Sequence, residues 1–125
     1  MKTIIRTNKA PAPVGPYSQA VESGGFLFCS GQIAINPETD QVMTGPIEEQ
    51  TRQIMENIKA VLTEAGLGFQ NVVKTTIYLI NMNDFAAVNE VYGRYFKEQP
   101  PARSTIAVAA LPKGVHVEVE VLAKR

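Results

Sequence analysis

Residues 46–80 read PIEEQTRQIMENIKAVLTEAGLGFQNVVKTTIYLI, and a change of period inside this stretch decides the fold class. In its first part Ile47, Thr51, Ile54, Ile58, Val61 and Ala65 recur at spacings of 4, 3, 4, 3 and 4, with Met55 and Leu62 beside them. That spacing draws one apolar stripe down an amphipathic helix. Pro46 suits the first helical position, because the N–H it lacks would be unpaired there. Glu48 and Glu49 put negative charge in the first turn, where the helix dipole favours it. Gly66 is a natural residue just past the end, since it takes a left-handed conformation without a Cβ clash. Beyond it the helical period stops. Val72–Ile80 (VVKTTIYLI) is dense in β-branched residues and reads as a strand.

Working outward, a short apolar strand is expected at Thr3–Arg6, then an ordered proline-rich loop from Ala10 to Pro16. Tyr17–Glu22 and Phe26–Ser30 flank Ser23-Gly24-Gly25 and should form a hairpin, the two glycines supplying positive φ. Residues 31–45 read as a loop, punctuated at Asn36-Pro37 and Thr39-Asp40. A second helix is expected from Asp84 to Phe96, with Asn83 as its N-cap and an apolar stripe of Phe85, Val88, Tyr92 and Tyr95 or Phe96. Pro100-Pro101 forbids its continuation. Two strands finish the chain, Arg103–Ala110 and Val115–Leu122. Leu111-Pro112-Lys113-Gly114 turns between them, so they are expected to pair as a hairpin. In the last strand Val115, Val117, Val119 and Val121 face one way, and His116, Glu118, Glu120 and Leu122 the other. The whole predicts one α/β domain over residues 1–125: a mixed sheet of about five to six strands with two helices packed on one face. The second sheet face is left over, and association of such faces between copies is one way to cover it.

Composition narrows the function. At 45% apolar and 19% charged residues the chain carries enough apolar material for a core and too little charge for disorder. Lys plus Arg and Asp plus Glu both number 12, so bulk electrostatics does not draw the protein to nucleic acid. One cysteine, Cys29, allows no intrachain disulfide and fits a reducing compartment. The first residues show no signal-peptide pattern, and no apolar run approaches a membrane span, so a cytoplasmic protein without membrane attachment is the expectation.

The single histidine, His116, sits among valines and reads as a rim residue rather than part of a nucleophilic triad. No C-x-x-C, H-E-x-x-H or clustered His/Cys set suggests a metal, and no glycine-rich phosphate or dinucleotide cradle is present, so no cofactor is expected. Cys29, within Phe26-Leu27-Phe28-Cys29, reads as a buried inert thiol. What remains is orientation by charge plus an activated water. Arg103, after Pro100-Pro101-Ala102 and at the start of a strand, can clamp a carboxylate with two parallel hydrogen bonds. Glu118, expected on the adjacent strand, can hold or deprotonate water. Tyr17, after Gly15-Pro16, can cover a ligand. Asn89 is polar within an otherwise apolar helix stripe. Each of these also has an ordinary structural explanation when taken alone.

Their combination does not stand alone. Ala10–Gln19 (APAPVGPYSQ), Ser30-Gly31-Gln32-Ile33, Val73-Lys74-Thr75-Thr76 with Asn83-Asp84-Phe85, Val88-Asn89 with Tyr92, and Pro101-Ala102-Arg103-Ser104 with Leu111-Pro112-Lys113 fall in the order of the signature stretches of the Rid (YjgF-type) family. The sequence resembles that family over essentially its whole length. The resemblance implies a chorismate-mutase-like fold, a homotrimer with clefts between subunits, and hydrolysis of reactive 2-imino and 2-enamino acids, such as 2-iminobutanoate and 2-iminopropanoate, to 2-keto acids and ammonia. Such substrates come from pyridoxal-phosphate-dependent dehydratases. Arg103 matches the family arginine that holds the substrate carboxylate, and Glu118 the glutamate that places water. Tyr17, Ser30, Gly31 and Asn89 match other cleft residues, and the backbone at Thr105 matches a ligand-touching segment. Many relatives carry cysteine where Thr105 stands, and Ile106–Ala110 lacks charges common elsewhere. Two other readings accompany this one: a regulatory trimer that binds a small acid without turnover, and an endoribonuclease, which the neutral charge and lone histidine disfavour.

Overall fold

A computed structural model describes all of residues 1–125. In chain order the elements are β1 (Thr3–Ile5), β2 (Ala20–Ser23), β3 (Phe26–Cys29), β4 (Ile35–Asn36), β5 (Gln41–Val42), α1 (Ile47–Glu64), β6 (Val72–Leu79), α2 (Phe85–Gly93), β7 (Ala102–Ala107) and β8 (Val117–Lys124). Six strands form one mixed sheet in the order β1-β2-β3-β8-β6-β7, and β4 and β5 make a separate small ribbon. The expected α/β architecture, with both helices on one face of a sheet of five to six strands, is therefore observed.

The stretch that decided the fold class behaves as its spacing requires. Ile54, Met55, Ile58, Val61 and Leu62 are buried on α1. They pack in one cluster with Val117, Val119, Val121 and Ala123 of β8, Ile77 and Leu79 of β6, and Leu27 of β3. Full burial of one such aliphatic side chain stabilises by about 1.5–3 kcal/mol, so this single interface supplies much of the drive to fold. Gly66 (φ 75°) ends α1: its N–H donates to the Thr63 carbonyl and the Leu67 N–H to that of Leu62. This is the paired arrangement that satisfies the last free carbonyls of a helix. Pro46 is the residue flanking α1 rather than its first helical one. Gly24 and Gly25, at φ 61° and 82°, make the β2–β3 turn as expected.

Three local expectations need correction. Residues 31–45 are not all loop, because Ile35–Asn36 and Gln41–Val42 pair around the predicted turns. The strand predicted to start at Tyr17 starts at Ala20, leaving Tyr17 in the preceding loop. Asn83 does not cap α2: a short 3-10 turn intervenes, with Asn81 Oδ1 accepting the Asn83 N–H at 2.9 Å, and the helix ends at Gly93.

The larger correction concerns the last two strands. β7 and β8 do not form a hairpin; β6 lies between them, parallel to β7 and antiparallel to β8. β6 buries four of its eight residues and gains ladder hydrogen bonds on both edges by sitting centrally, whereas β7 runs along the rim with five of its six residues exposed. No helix lies over the opposite sheet face. Phe28, Ile4 and Ile106 are all about half exposed there.

Candidate functional site

Arg103 enters from the edge. It pairs in register with Thr75 of β6 and points to the helical side of the sheet. There α2 receives it with three residues spaced four and three apart, Phe85, Asn89 and Tyr92, which therefore share one face of the helix. Asn89 Oδ1 accepts from Arg103 Nη1 at 2.7 Å. The guanidinium carbon lies 5.0 Å from the centre of the Tyr92 ring and 5.5 Å from that of Phe85, within range of a cation–π attraction. Tyr92 is itself anchored, its hydroxyl bonding the buried Thr75 hydroxyl at 2.7 Å, and burial pushes the tyrosine pKa up. The ion pairs of the chain are Arg52–Glu49, Arg94–Glu90 and Arg125–Glu22, so Arg103 is oriented by a neutral amide and two rings while its charge stays uncompensated by any carboxylate. With Asn89, Tyr92, Pro100 and Pro101 it lines a hollow of ≈ 410 Å³. Thr105, two residues along the same face of β7, keeps its hydroxyl oxygen buried without a hydrogen-bond partner.

Glu118 belongs to a different surface. It sits on β8 directly opposite Tyr78 of β6, on the face that no helix covers. The Gln32–Val119 bridge brings Ser30-Gly31 alongside. Gly31 lies under the carboxylate so closely that an added Cβ would be 2.0 Å from Glu118 Oε2. Its φ is not in the left-handed region, so glycine is required here by space and not by backbone conformation. Burial, followed by the charge of Glu120, raises the Glu118 carboxyl above its ordinary value. A cleft of ≈ 290 Å³ opens beside it, lined also by Val14, Tyr17, Ser30, Gly31 and Lys113.

The wall of that cleft is built by a residue the sequence reading passed over. Gln19 is buried and serves the proline-rich loop from inside: its Oε1 accepts the Thr7 N–H at 2.8 Å, and its Nε2 donates to the carbonyls of Pro11 (2.8 Å) and Thr7 (3.0 Å). Proline residues contribute no N–H, so their neighbouring carbonyls need an outside donor, and a glutamine after a Pro-rich segment is a weak signal of that need. Ser30 Oγ donates to the Ser18 carbonyl at 2.6 Å, and Tyr17, half exposed, accepts the Val14 N–H weakly at 3.4 Å. Tyr17, Ser30, Gly31 and Glu118 are thus brought together, and Arg103, Asn89 and Thr105 are brought together elsewhere.

The two groups cannot meet within one chain. Along β6, Thr75 is paired with Arg103 and Tyr78 with Glu118. Residues an odd number apart on a strand point to opposite faces, so Arg103 and Glu118 project from opposite sides of the sheet, and the expectation that they sit side by side on a hairpin is overturned. Of the remaining nucleophile candidates, burial pushes the Cys29 thiol up to about 12, which leaves it protonated, and His116 is exposed at the start of β8, where its carbonyl accepts the Ile80 N–H. No three His, Cys, Asp or Glu side chains converge, and no helix is long and apolar enough to cross a membrane.

Residues 7–125 match the family model described as Endoribonuclease L-PSP. The chain is 53% identical to a RutC family protein of Pyrococcus horikoshii, over 98% of both chains. It is 46% identical to a mouse protein named 2-iminobutanoate/2-iminopropanoate deaminase, over 98% of this chain and 91% of that one. Among solved structures it superposes on a Rid-family protein of unknown function from Yersinia pestis with a TM-score of 0.97 and 50% identity, each chain fully covered. With the sheet order, the edge arginine and the glycine-seated glutamate in place, these likenesses lead to one conclusion: the chain belongs to the Rid (YjgF-type) family.

Proposed function

We propose that this protein hydrolyses small 2-imino and 2-enamino acids to 2-keto acids and ammonia, at sites completed by two copies of the chain. The observation that carries the reading is Arg103: a fixed guanidinium without an acidic partner, held at a sheet edge by Asn89, Phe85 and Tyr92. A cation so oriented and uncompensated is suited to a small carboxylate, which it can take with two parallel hydrogen bonds. Glu118, on the opposite face, complements it from a second subunit. The mouse deaminase named above supplies the reaction, and a homotrimer, with three such shared sites, is the assembly we propose.

In the reaction Arg103 holds the carboxylate and thereby fixes the adjacent C=N carbon. Glu118 of the neighbouring copy holds a water and accepts its proton as the water oxygen bonds to that carbon. The resulting carbinolamine collapses: the C–N bond breaks, ammonia leaves with the returned proton, and the carbonyl of the keto acid forms. The imine carbon is electrophilic once its nitrogen is protonated, so a positioned base worth ~10² to 10⁴-fold supplies most of the acceleration required.

The test is a coupled assay in which a threonine or serine dehydratase generates the imine and semicarbazide competes for it. The wild type should divert imine to keto acid; Arg103→Ala and Glu118→Gln should not. Unfolding the two inactive variants together and refolding the mixture should restore activity to about one quarter of the sites, since a quarter of neighbouring pairs carry an intact Arg103 on one side and an intact Glu118 on the other. Failure of the mixture to recover would refute the shared site. No effect of the wild type on semicarbazone formation would refute the deaminase and favour a module that binds a small acid without turnover.

A further inference from the structure

Glu118 does not stand alone on its face of the sheet. Glu120 follows it two residues along β8, on the same side, about 7 Å away by strand geometry. Tyr78, paired across the strands with Glu118, does not bond it. Its hydroxyl reaches diagonally and donates to Glu120 Oε1 at 2.6 Å. That is a short hydrogen bond of the kind made to an ionised acceptor. It holds the Glu120 side chain in place, and the same bond raises the Tyr78 pKa.

None of the other charged or titratable groups near the pair forms an ion pair with it within the chain. His116 precedes Glu118 on the same side and is exposed, Lys113 and Tyr17 line the cleft, and Lys74 lines a hollow with Glu120 while donating to Ser104 Oγ at 3.1 Å. None of the chain's ion pairs involves Glu118 or Glu120. Within one copy, two carboxylates thus share one face with neither in an ion pair, and in the proposed assembly the neighbouring copy's Arg103 faces Glu118. Such an arrangement is costly to the fold and has a consequence for chemistry, because the more firmly one of them is ionised the more strongly the other takes up a proton.

We propose that Tyr78 and Glu120 are positioning residues for the Glu118 base: Tyr78 fixes the Glu120 carboxyl two residues from Glu118 on the same face, and repulsion from it makes Glu118 the better acceptor of a proton from its water. This rests on the deaminase reading for its catalytic meaning, but the coupling itself is a property of the folded chain. Burial of Glu118 acts in the same direction. The stronger base removes the water proton more readily, at the expense of activity on the acid side, where a protonated Glu118 cannot act.

The experiment has two readouts on the intact assembly, with Glu120→Gln and Tyr78→Phe as variants and sedimentation confirming unchanged assembly. The first follows the glutamate side-chain carboxyl carbons by NMR as pH is lowered, the Glu118 signal being identified by its loss in Glu118→Gln. The second is the pH profile of kcat/KM with a preformed imine acid. In Glu120→Gln the proton affinity of Glu118 should fall by at least about threefold, the value for two charges ~7 Å apart in full solvent screening. The acid limb of kcat/KM should move to lower pH and its plateau should drop. Tyr78→Phe should move both in the same direction by less. A Glu118 titration unchanged in both variants overturns the proposal even if the enzyme is active. A shifted titration in a protein without deaminase activity upholds the coupling and refutes only the proposed reaction. A general structural role would lower the plateau without moving the limb, and that result also overturns the proposal.

Discussion

Adding one methyl group at Gly31 tests whether Glu118 works from the position the fold gives it. The Cβ of Gly31→Ala would stand 2.0 Å from Glu118 Oε2, 2.9 Å from its Cδ and 3.1 Å from its Cγ. Ordinary contact begins near 3.4 Å, so the carboxylate oxygen must retreat by about 1.4 Å. The backbone at Gly31 is not left-handed and the obstructing atoms are the end of a flexible side chain, so the fold can absorb the change by turning Glu118 aside. The expected cost in stability is small, of order 1 kcal/mol, a shift of a few degrees in thermal midpoint. The cost in catalysis is larger, because a misplacement of about 1 Å at a reacting group removes roughly 10² in rate. The assay is the dehydratase-coupled diversion of imine from semicarbazide, run beside thermal unfolding. A double variant, Gly31→Ala with Glu118→Gln, should be no slower than Glu118→Gln alone, since both changes remove one function. Retention of wild-type kcat/KM within about threefold in Gly31→Ala would refute the placement of Glu118 as the base, against the ~10²-fold loss expected. So would a double variant in which the two losses multiply.

Other consequences are open to measurement. Asn89→Ala removes the charge-assisted bond that aims Arg103 and should lower kcat/KM roughly tenfold, mainly through KM, with rescue by Asn89→Asp excluded because a carboxylate there would neutralise the clamp. Glu118→Gln should raise the thermal midpoint at neutral pH. The folded carboxyl has a raised pKa, so the unfolded chain ionises first as pH climbs past the ordinary value of 4.5 and stability is lost from there upward; the gain from the substitution should vanish at lower pH, where both states are protonated, and a gain of equal size at pH 3 and pH 7 would contradict this. Gln19→Ala strips the partners from several carbonyls of the proline-rich loop and should destabilise by about 3 kcal/mol while raising KM, as read by denaturant unfolding and the coupled assay.

Both helices and the six strands of the main sheet were legible because each is written locally, whereas the two-residue strands of the β4–β5 ribbon were not. The 3-and-4 spacing from Ile47 to Ala65 specifies a face before any partner is known, and the alternation from Val115 to Leu122 specifies which residues enter the core. The glycine turn at 24–25 was legible for the same reason. The site was legible only as a list. Arg103, Glu118, Tyr17, Ser30, Gly31, Asn89 and Thr105 stood out through their chemistry and their match to a family, yet nothing near any of them in sequence said which would be neighbours. Asn89 illustrates the limit: read as a cleft residue, it is found bonded to Arg103. Gln19 and Tyr78 illustrate it from the other side, since their partners lie 8–12 and 42 residues away.

The sequence by itself therefore determined the main elements, the buried faces of the two helices and of the last strand, and the chemical kinds of group available. Tertiary structure alone decided the strand order, and with it the site. By inserting β6 between β7 and β8 the fold turns two strands that are consecutive in the chain into second neighbours and places Thr75 and Tyr78, of opposite parity, against Arg103 and Glu118. The physical reason is that pairing is a competition among all strand edges at once: β6, with four of its eight residues buried, gains more from two neighbours than the exposed β7 would, and a short loop such as 108–116 is long enough to step across it. Local sequence sets which way each side chain faces along its own strand, but only the assembled sheet fixes which side of the molecule that direction becomes.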